Sequence, residues 1–132
     1  MKHVNKILLG TWELEGFQII TPEKEKRNWG EEMTGLLIYS ATGHMSVSIS
    51  KKLVGANDTN KDKVLLDSFI FYAGTYSIQS KEIVHYVSIA TNQDRKNKEM
   101  RRFFKIKEDL LTLSSPEQSF GKAVLKWRKI KH

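Results

Sequence analysis

The stretch Gly35–Ile49 constrains the fold of this chain more than any other. It contains two apolar-rich runs on either side of a turn at residues 40–43, where small and polar residues end in glycine. After the turn, Met45, Val47 and Ile49 alternate with serines. A period of two is typical of a β-strand with one buried face. The stretch therefore predicts a β-hairpin that packs one of its faces on a core.

Most of the remaining chain also has the pattern of short strands. A change of facing at Gly16 indicates a β-bulge in the first of them. Polar turn formers separate the segments, and together with the hairpin they give about eight strands. The predicted segments are Gly10–Ile19, Tyr72–Ile78, Ile83–Ile89, Glu99–Lys107, Leu110–Ser114 and Ala123–Arg128.

Two segments do not have the strand pattern. Residues 23–32 mix charges around Trp29 and predict a loop whose tryptophan caps one end of the fold. Thr59 resembles a helix N-cap, and Leu65, Phe69 and Tyr72 are spaced as one apolar stripe. The sequence therefore predicts one short helix over residues 61–70, packed beside an opening of the sheet.

An antiparallel meander of this length has to protect its edge strands, and closure into a barrel does so completely. We therefore predict an all-β fold, a small antiparallel up-and-down barrel with one short helix near the barrel opening. A single domain over residues 1–132 is expected from the length. Side chains can nearly fill a barrel of about eight strands, so the sequence leaves open whether the interior is hollow.

Composition sets aside several classes of protein. The chain has no cysteine, which excludes disulfides and thiolate chemistry. Its four histidines lack metal-ligand spacing, and no motif indicates a metal or a cofactor. The apolar run at residues 7–9 is too short for a signal peptide, and no stretch approaches a membrane span. A cytoplasmic location is the expectation.

The formal charge of +7 is uneven along the chain. Residues 1–66 carry 9 basic and 8 acidic side chains, and residues 67–132 carry 13 and 7. A basic half can attract phosphates or an acidic partner, but it is also ordinary for a solvated surface. No strand pairs basic and aromatic residues in the order of RNA-recognition motifs, so nucleic acid is not favoured.

Several motifs, in this order and spacing, resemble the bacterial and fungal lipocalin-like domain family of calycin-type barrels. They cover nearly the whole chain. The motifs are Gly-Thr-Trp-x-Leu at residues 10–14, Gly-Leu-Leu-Ile-Tyr-Ser-x-x-Gly-His-Met-Ser at 35–46, Tyr-x-Gly-Thr-Tyr at 72–76, Arg-Arg-Phe at 101–103, Leu-Leu-Thr-Leu at 110–113 and Leu-x-Trp at 125–127.

This resemblance implies a small barrel with an internal cavity and does not imply a reaction. It also implies structural closure by Trp12 and Trp127, with the basic Arg128 against the opening tryptophan. The chain departs from the family pattern in its basic surface and in the polar loop 51–61. Both departures bear on which molecules reach the mouth.

His85 is the first candidate for chemistry. It shares the alternation of Ile83, Val87 and Ile89, which predicts that its side chain points into the barrel. A buried imidazole needs a hydrogen-bond partner, and its ordinary pKa suits proton transfer. The alternative is a core histidine that a tyrosine hydroxyl satisfies.

The other candidates would line the same interior. Tyrosine hydroxyls offer partners for His85, although the rings could simply fill the core. One of the neighbouring residues Arg101 and Arg102 must face inward; it would pair with an anionic group or stack over Trp12. The candidate ligand contacts are Tyr39, Met45, Phe69, Tyr72, Tyr76, His85, Arg101 and Phe103.

Three hypotheses follow. The first is a protein that binds a small hydrophobic or amphipathic ligand in the barrel. The second is an isomerase or cyclase on the same barrel, with His85 and Tyr76 as an acid–base pair. The third is an interaction module that uses the basic surface to meet nucleic acid or an acidic partner. Each of these hypotheses is compatible with a homodimer.

Overall fold

The computed structural model describes residues 6–55, 57 and 59–131. Strands dominate this range, with one short α-helix and one turn of 3₁₀-helix at Gln93–Arg95. Within the described part of the chain, no helix has the length and apolar character needed to cross a membrane. The elements are β1 Gly10–Ile20, β2 Lys26–Asn28, β3 Thr34–Tyr39, β4 His44–Ser50, α1 Lys61–Asp67, β5 Phe69–Gln79, β6 Glu82–Ala90, β7 Glu99–Lys107, β8 Leu110–Ser114 and β9 Lys122–Lys129.

Eight of these strands close into an antiparallel barrel. From β3 to β9, each strand pairs with the next in sequence, and β1 pairs with both β3 and β9. The strand β2 lies outside this ring and pairs only with the end of β1. Closure leaves the ring without an exposed edge. The predicted up-and-down barrel is confirmed.

The hairpin of β3 and β4 is built as the sequence predicts. Its strands pair from Thr34 opposite Ser50 to Tyr39 opposite Met45. Met45, Val47 and Ile49 are buried, and the serines between them lie on the outer face. The turn places Gly43 at a φ of 88°, a conformation that glycine adopts without steric cost.

A β-bulge interrupts β1 where the sequence predicts it. The register against β9 shifts between Leu14 and Gly16. Trp12 and Phe17 are five positions apart, an odd spacing that would place them on opposite faces of a regular strand. Both are buried. The extra residue at the bulge therefore lets both aromatic rings face the interior.

A second register shift corrects one prediction. Gly74 pairs with Val87 while Ala73 pairs with Ile89, which leaves Ser88 as the extra residue in β6. Val87 is buried as expected, but Ile89 is 59% exposed. Alternation alone placed Ile89 inside, and the bulge turns it outward.

Gly74 sits at this bulge, and we expect Gly74→Ala to be strongly destabilising. A Cβ at position 74 would overlap the backbone carbonyl of Tyr86, which cannot move without breaking the β5–β6 pairing. The expected loss is at least about 2 kcal/mol of unfolding free energy. Gly16→Ala is the matched control, because a Cβ there meets no atom within 4 Å. Urea unfolding of both variants tests this; similar midpoints for the two would contradict it.

The predicted helix forms but ends earlier than residue 70. In α1 the last turn closes at Ser68, whose N–H donates to the carbonyls of Val64 and Leu65. Phe69 already pairs with Ser50 as the first residue of β5. The predicted apolar stripe is therefore wrong, and Leu65 is 52% exposed.

Two local features also differ from the prediction. The N-cap of α1 is Asn60 rather than Thr59, and its side chain makes no capping hydrogen bond. Within the predicted loop 23–32, Lys26–Asn28 forms β2 by pairing with the end of β1. All three residues of β2 are exposed, so no hydrophobic alternation marked them as a strand.

Candidate ligand cavity

The barrel encloses a cavity of about 340 Å³. Its walls are mostly apolar side chains from the inner faces of the strands. Gln118 and Phe120 line it and are exposed, so the cavity reaches the surface on their side of the barrel. The lining residues are Phe17, Ile19, Trp29, Leu37, Val47, Ile49, Ile70, Tyr72, His85, Arg95, Met100, Arg102, Leu113, Ser115, Gln118, Phe120, Ala123, Leu125 and Trp127.

The opposite end of the barrel is filled. Trp12, Leu8 and Leu111 are completely buried there, and Tyr39 and Tyr76 pack edge to face with their ring centroids 4.8 Å apart. The barrel is thus solid at one end and hollow at the other.

Trp29 forms part of the cavity wall from a loop position. Its ring stacks on Phe17 with centroids 4.9 Å apart, and the ammonium of Lys51 lies 4.0 Å from its centroid. The same ammonium donates to the Trp29 carbonyl at 3.2 Å. These contacts fix the indole beside the cavity, in keeping with its predicted position at one end of the barrel.

His85 lies at the inner end of the cavity between two tyrosines. The Tyr39 hydroxyl is 2.7 Å from Nε2, and the Tyr72 hydroxyl is 2.9 Å from Nδ1. All three side chains are buried. Because β3, β5 and β6 each supply one member, the barrel itself holds this Tyr–His–Tyr unit together.

Each group of this unit is neutral at neutral pH. Burial, with a smaller contribution from the Arg102 guanidinium, lowers the pKa of His85 from 6.5 to about 3. Burial also raises the pKa of Tyr72 and, more strongly, that of Tyr39 above the ordinary value of 10.0. An imidazole with so low a pKa is a weak base. The unit is therefore suited to hydrogen bonding rather than to proton transfer.

Tyr76 does not belong to this unit. Its hydroxyl donates to the Ser40 carbonyl at 3.1 Å, at the filled end of the barrel. The predicted pair of His85 and Tyr76 is therefore not assembled. Tyr39 and Tyr72 occupy the positions that the acid–base hypothesis gave to Tyr76.

Arg102, rather than Arg101, faces the cavity. Arg101 lies on the outer face, where its guanidinium donates to carboxylates of Glu82 at 3.2 Å and Glu99 at 3.3 Å. Phe103 shares that outer face and is 47% exposed. The placement of Arg101 and Phe103 among the interior contacts was wrong. Met100, Phe104 and Ile106 share the inner face with Arg102, so alternation along the whole strand favours this orientation.

Two further predicted contacts lie outside the cavity wall. Met45 is buried in the core but is not among the lining residues. Phe69 is 47% exposed, since it starts β5 instead of completing the predicted helix stripe. Of the predicted ligand contacts, Tyr72 and His85 line the cavity, and Tyr39 contacts it through His85.

At the filled end of the barrel, Lys129 lies over Trp12 in place of Arg128, which the family resemblance implied. Trp12 is fully buried, and its Nε1 donates to the Leu8 carbonyl at 3.0 Å. The ammonium of Lys129 lies 5.4 Å from the Trp12 ring centroid. Arg128 points outward and binds both carboxylate oxygens of Glu15, at 2.8 and 2.9 Å. The expectation that an arginine covers Trp12 was therefore wrong.

Sequence reasoning missed Arg95 and most of the apolar wall. Arg95 lies in the 3₁₀ turn between β6 and β7, and Trp29 lies in a loop. Strand periodicity does not orient side chains in loops. Val47 was expected to face the interior, but the boundary between filled and hollow regions depends on side chains from all eight strands at once.

An eight-stranded up-and-down antiparallel barrel of this kind is the calycin-type fold. The family model described as "Lipocalin-like domain" matches residues 9–130. The chain belongs to this lipocalin-like family. Among curated proteins, no relative matches it.

Solved structures share the barrel at low sequence identity. A redesigned beta barrel superposes with a TM-score of 0.52 at 9% identity, covering 99% of this chain and 98% of that one. A variant of the fluorescent protein UnaG gives 0.48 at 14% identity, covering 96% and 99%. Secretory abundant heat soluble protein 4 from Ramazzottius varieornatus gives 0.47 at 15% identity, covering 99% and 100%. At these identities the similarity concerns the fold alone.

Proposed function

We propose that this protein binds a small, largely apolar molecule inside the barrel. The observation that carries the proposal is the cavity of about 340 Å³, which has apolar walls and reaches the surface. Ligand sites of small-molecule-binding proteins are concave and mostly apolar, with a few polar groups that orient the ligand. The Tyr–His–Tyr unit at the inner end supplies such groups.

A second concave surface of about 410 Å³ lies outside the barrel. It follows the gap where β1 leaves β3 and is lined by outward side chains such as Leu36, Ser48 and Phe69, with the carboxylate of Glu13 nearby. Most of its lining is on the outer face, in contact with water, and the buried Ile49 also borders it. The interior cavity is the better site for an apolar ligand because burial there removes more of the ligand surface from water.

Binding is a better-supported function than turnover. The enzyme hypothesis needs His85 to exchange a proton near neutral pH, and its pKa of about 3 opposes this. Both ring nitrogens are also occupied by tyrosine hydroxyls. The cytoplasmic location and the single domain over residues 1–132 stay predictions from the sequence.

The neutral dye N-phenyl-1-naphthylamine tests the proposal, because its fluorescence rises when it leaves water for an apolar site. We expect saturable binding with one dye per chain and energy transfer from Trp29 and Trp127, which line the cavity. Protein unfolded in urea serves as the control and should give no saturable signal. A linear, unsaturable rise with the folded protein would contradict the proposal.

A further inference from the structure

We infer that the ligand of this cavity is an amphipathic anion, a molecule with an apolar body and a carboxylate or similar acidic group that Arg102 binds. The inference rests on the proposed function and names the class of ligand. It follows from an excess of hydrogen-bond donors over acceptors in the cavity, and from a positive charge there without a partner.

The first surplus donor belongs to the Tyr–His–Tyr unit. A neutral imidazole has one N–H and each hydroxyl has one O–H, so three hydrogens serve the two hydrogen bonds that join Tyr39, His85 and Tyr72. One hydrogen is left over in either tautomer. With the proton on Nδ1, the imidazole donates to Tyr72, and the Tyr72 O–H is then free to point elsewhere. Tyr72 lines the cavity.

The second surplus donor is the indole N–H of Trp127. Trp127 is 1% exposed and lines the cavity. Among the described residues, its Nε1 is the buried side-chain polar atom that lacks a hydrogen-bond partner. An unsatisfied buried donor destabilises the fold, and a ligand acceptor would remove that cost.

The third source of surplus donors, and the source of the positive charge, is a pair of guanidinium groups. Arg102 and Arg95 both line the cavity, and neither forms an ion pair with the described residues. One nitrogen of Arg102 donates to the Arg101 carbonyl at 2.8 Å, which leaves its other N–H groups for a ligand. The described lining contains no carboxylate. The positive charge of these side chains is therefore not neutralised within the cavity.

Acceptors in the lining are few by comparison. The Ser115 hydroxyl donates to the Pro116 carbonyl at 3.1 Å and accepts the Ala123 N–H at 2.8 Å. Gln118 offers an amide oxygen at the exposed mouth. A ligand that suits this cavity must therefore bring acceptors and negative charge. Arginine binds a carboxylate through two parallel hydrogen bonds, which matches both needs.

Matched ligands test the inference. Decanoate and decan-1-ol share one apolar chain and differ in the charged acceptor, and each can be titrated against bound N-phenyl-1-naphthylamine near neutral pH. We expect decanoate to compete about 10- to 100-fold more tightly than the alcohol. If decanoate competes no better than the alcohol, the inference is overturned while the proposed function stands. If the dye itself does not bind, the proposed function fails first.

Variants of the arginines show which residue causes the preference for decanoate. Arg102→Met should abolish the preference for decanoate over decan-1-ol, because the carboxylate loses its charged partner while both ligands keep the same apolar chain. Arg101→Met is the matched control on the outer face and should keep the preference. An equal loss in both variants would overturn the assignment to Arg102. Should Arg102→Met not fold, Arg102→Gln is the second variant, because it keeps a long polar side chain and removes the charge; a preference for decanoate that persists in it would contradict the assignment to Arg102.

Discussion

Ala123→Trp should weaken binding of N-phenyl-1-naphthylamine by at least about 100-fold. Ala123 lines the cavity close to the exposed Phe120, where an indole ring would occupy space that the ligand needs. The apolar wall is the main source of affinity in the proposed function, so blocking it should remove nearly all of the binding.

Val124→Trp is the matched control for this experiment. Val124 is the next residue of β9, pairs with Ser114 and Gln18, and is not part of the cavity lining. The same indole ring should there leave dye affinity within about 3-fold, because strand alternation directs it outward. Thermal unfolding first shows that each variant folds. Fluorescence titration then measures the dye affinity of both. Equal affinities in the two variants would place the dye site outside the barrel.

The second large effect is a loss of stability in acid that depends on His85. Its pKa is lowered to about 3 in the folded protein, against an ordinary value of 6.5. Between these values the unfolded chain binds a proton that the folded chain excludes. The contribution of this group to stability is therefore complete above pH 6.5 and is lost as the pH decreases toward 3, with a size on the order of 5 kcal/mol.

His85→Gln isolates that contribution. The glutamine can still bond one tyrosine but does not titrate, so we expect a less stable protein at pH 7 and a flatter decline of unfolding free energy below pH 6.5. His44→Gln is the control, because His44 is exposed at the β3–β4 turn. Urea unfolding at a series of pH values measures both slopes. If the unfolding free energy of His85→Gln declines with pH as steeply as that of the wild type, the buried imidazole of His85 is not the neutral group described here.

Much of the barrel could be predicted from alternation. Val47 and its neighbours define the buried face of β4, and the facing change at Gly16 marks a bulge that does form. Short-range patterns fail where pairing between strands decides the outcome. Ile89 turns outward because the partner strand forces a bulge at Ser88, and Phe69 joins β5 because Ser50 is available to pair with it.

The site was less predictable than the fold. His85 and Tyr72 could be placed inside from their own strands, but their contact depends on the register of β5 against β6 and on the closure of the barrel. The predicted contacts included Arg101 rather than Arg102, although alternation along the whole of β7 favours Arg102, which shares its face with Phe104 and Ile106. Arg95 lies in a turn, where periodicity carries no information. The assembled barrel is needed to show that the Arg95 side chain lines the cavity.

The most direct test is a crystal structure of the protein with ω-bromodecanoate, in which anomalous scattering from bromine locates the chain end of the ligand. We predict one bromine peak inside the barrel among the apolar wall residues, with the carboxylate against Arg102. A bromine peak at the second concave surface, beside Leu36 and Phe69, together with an empty barrel would contradict the proposal that the interior is the binding site.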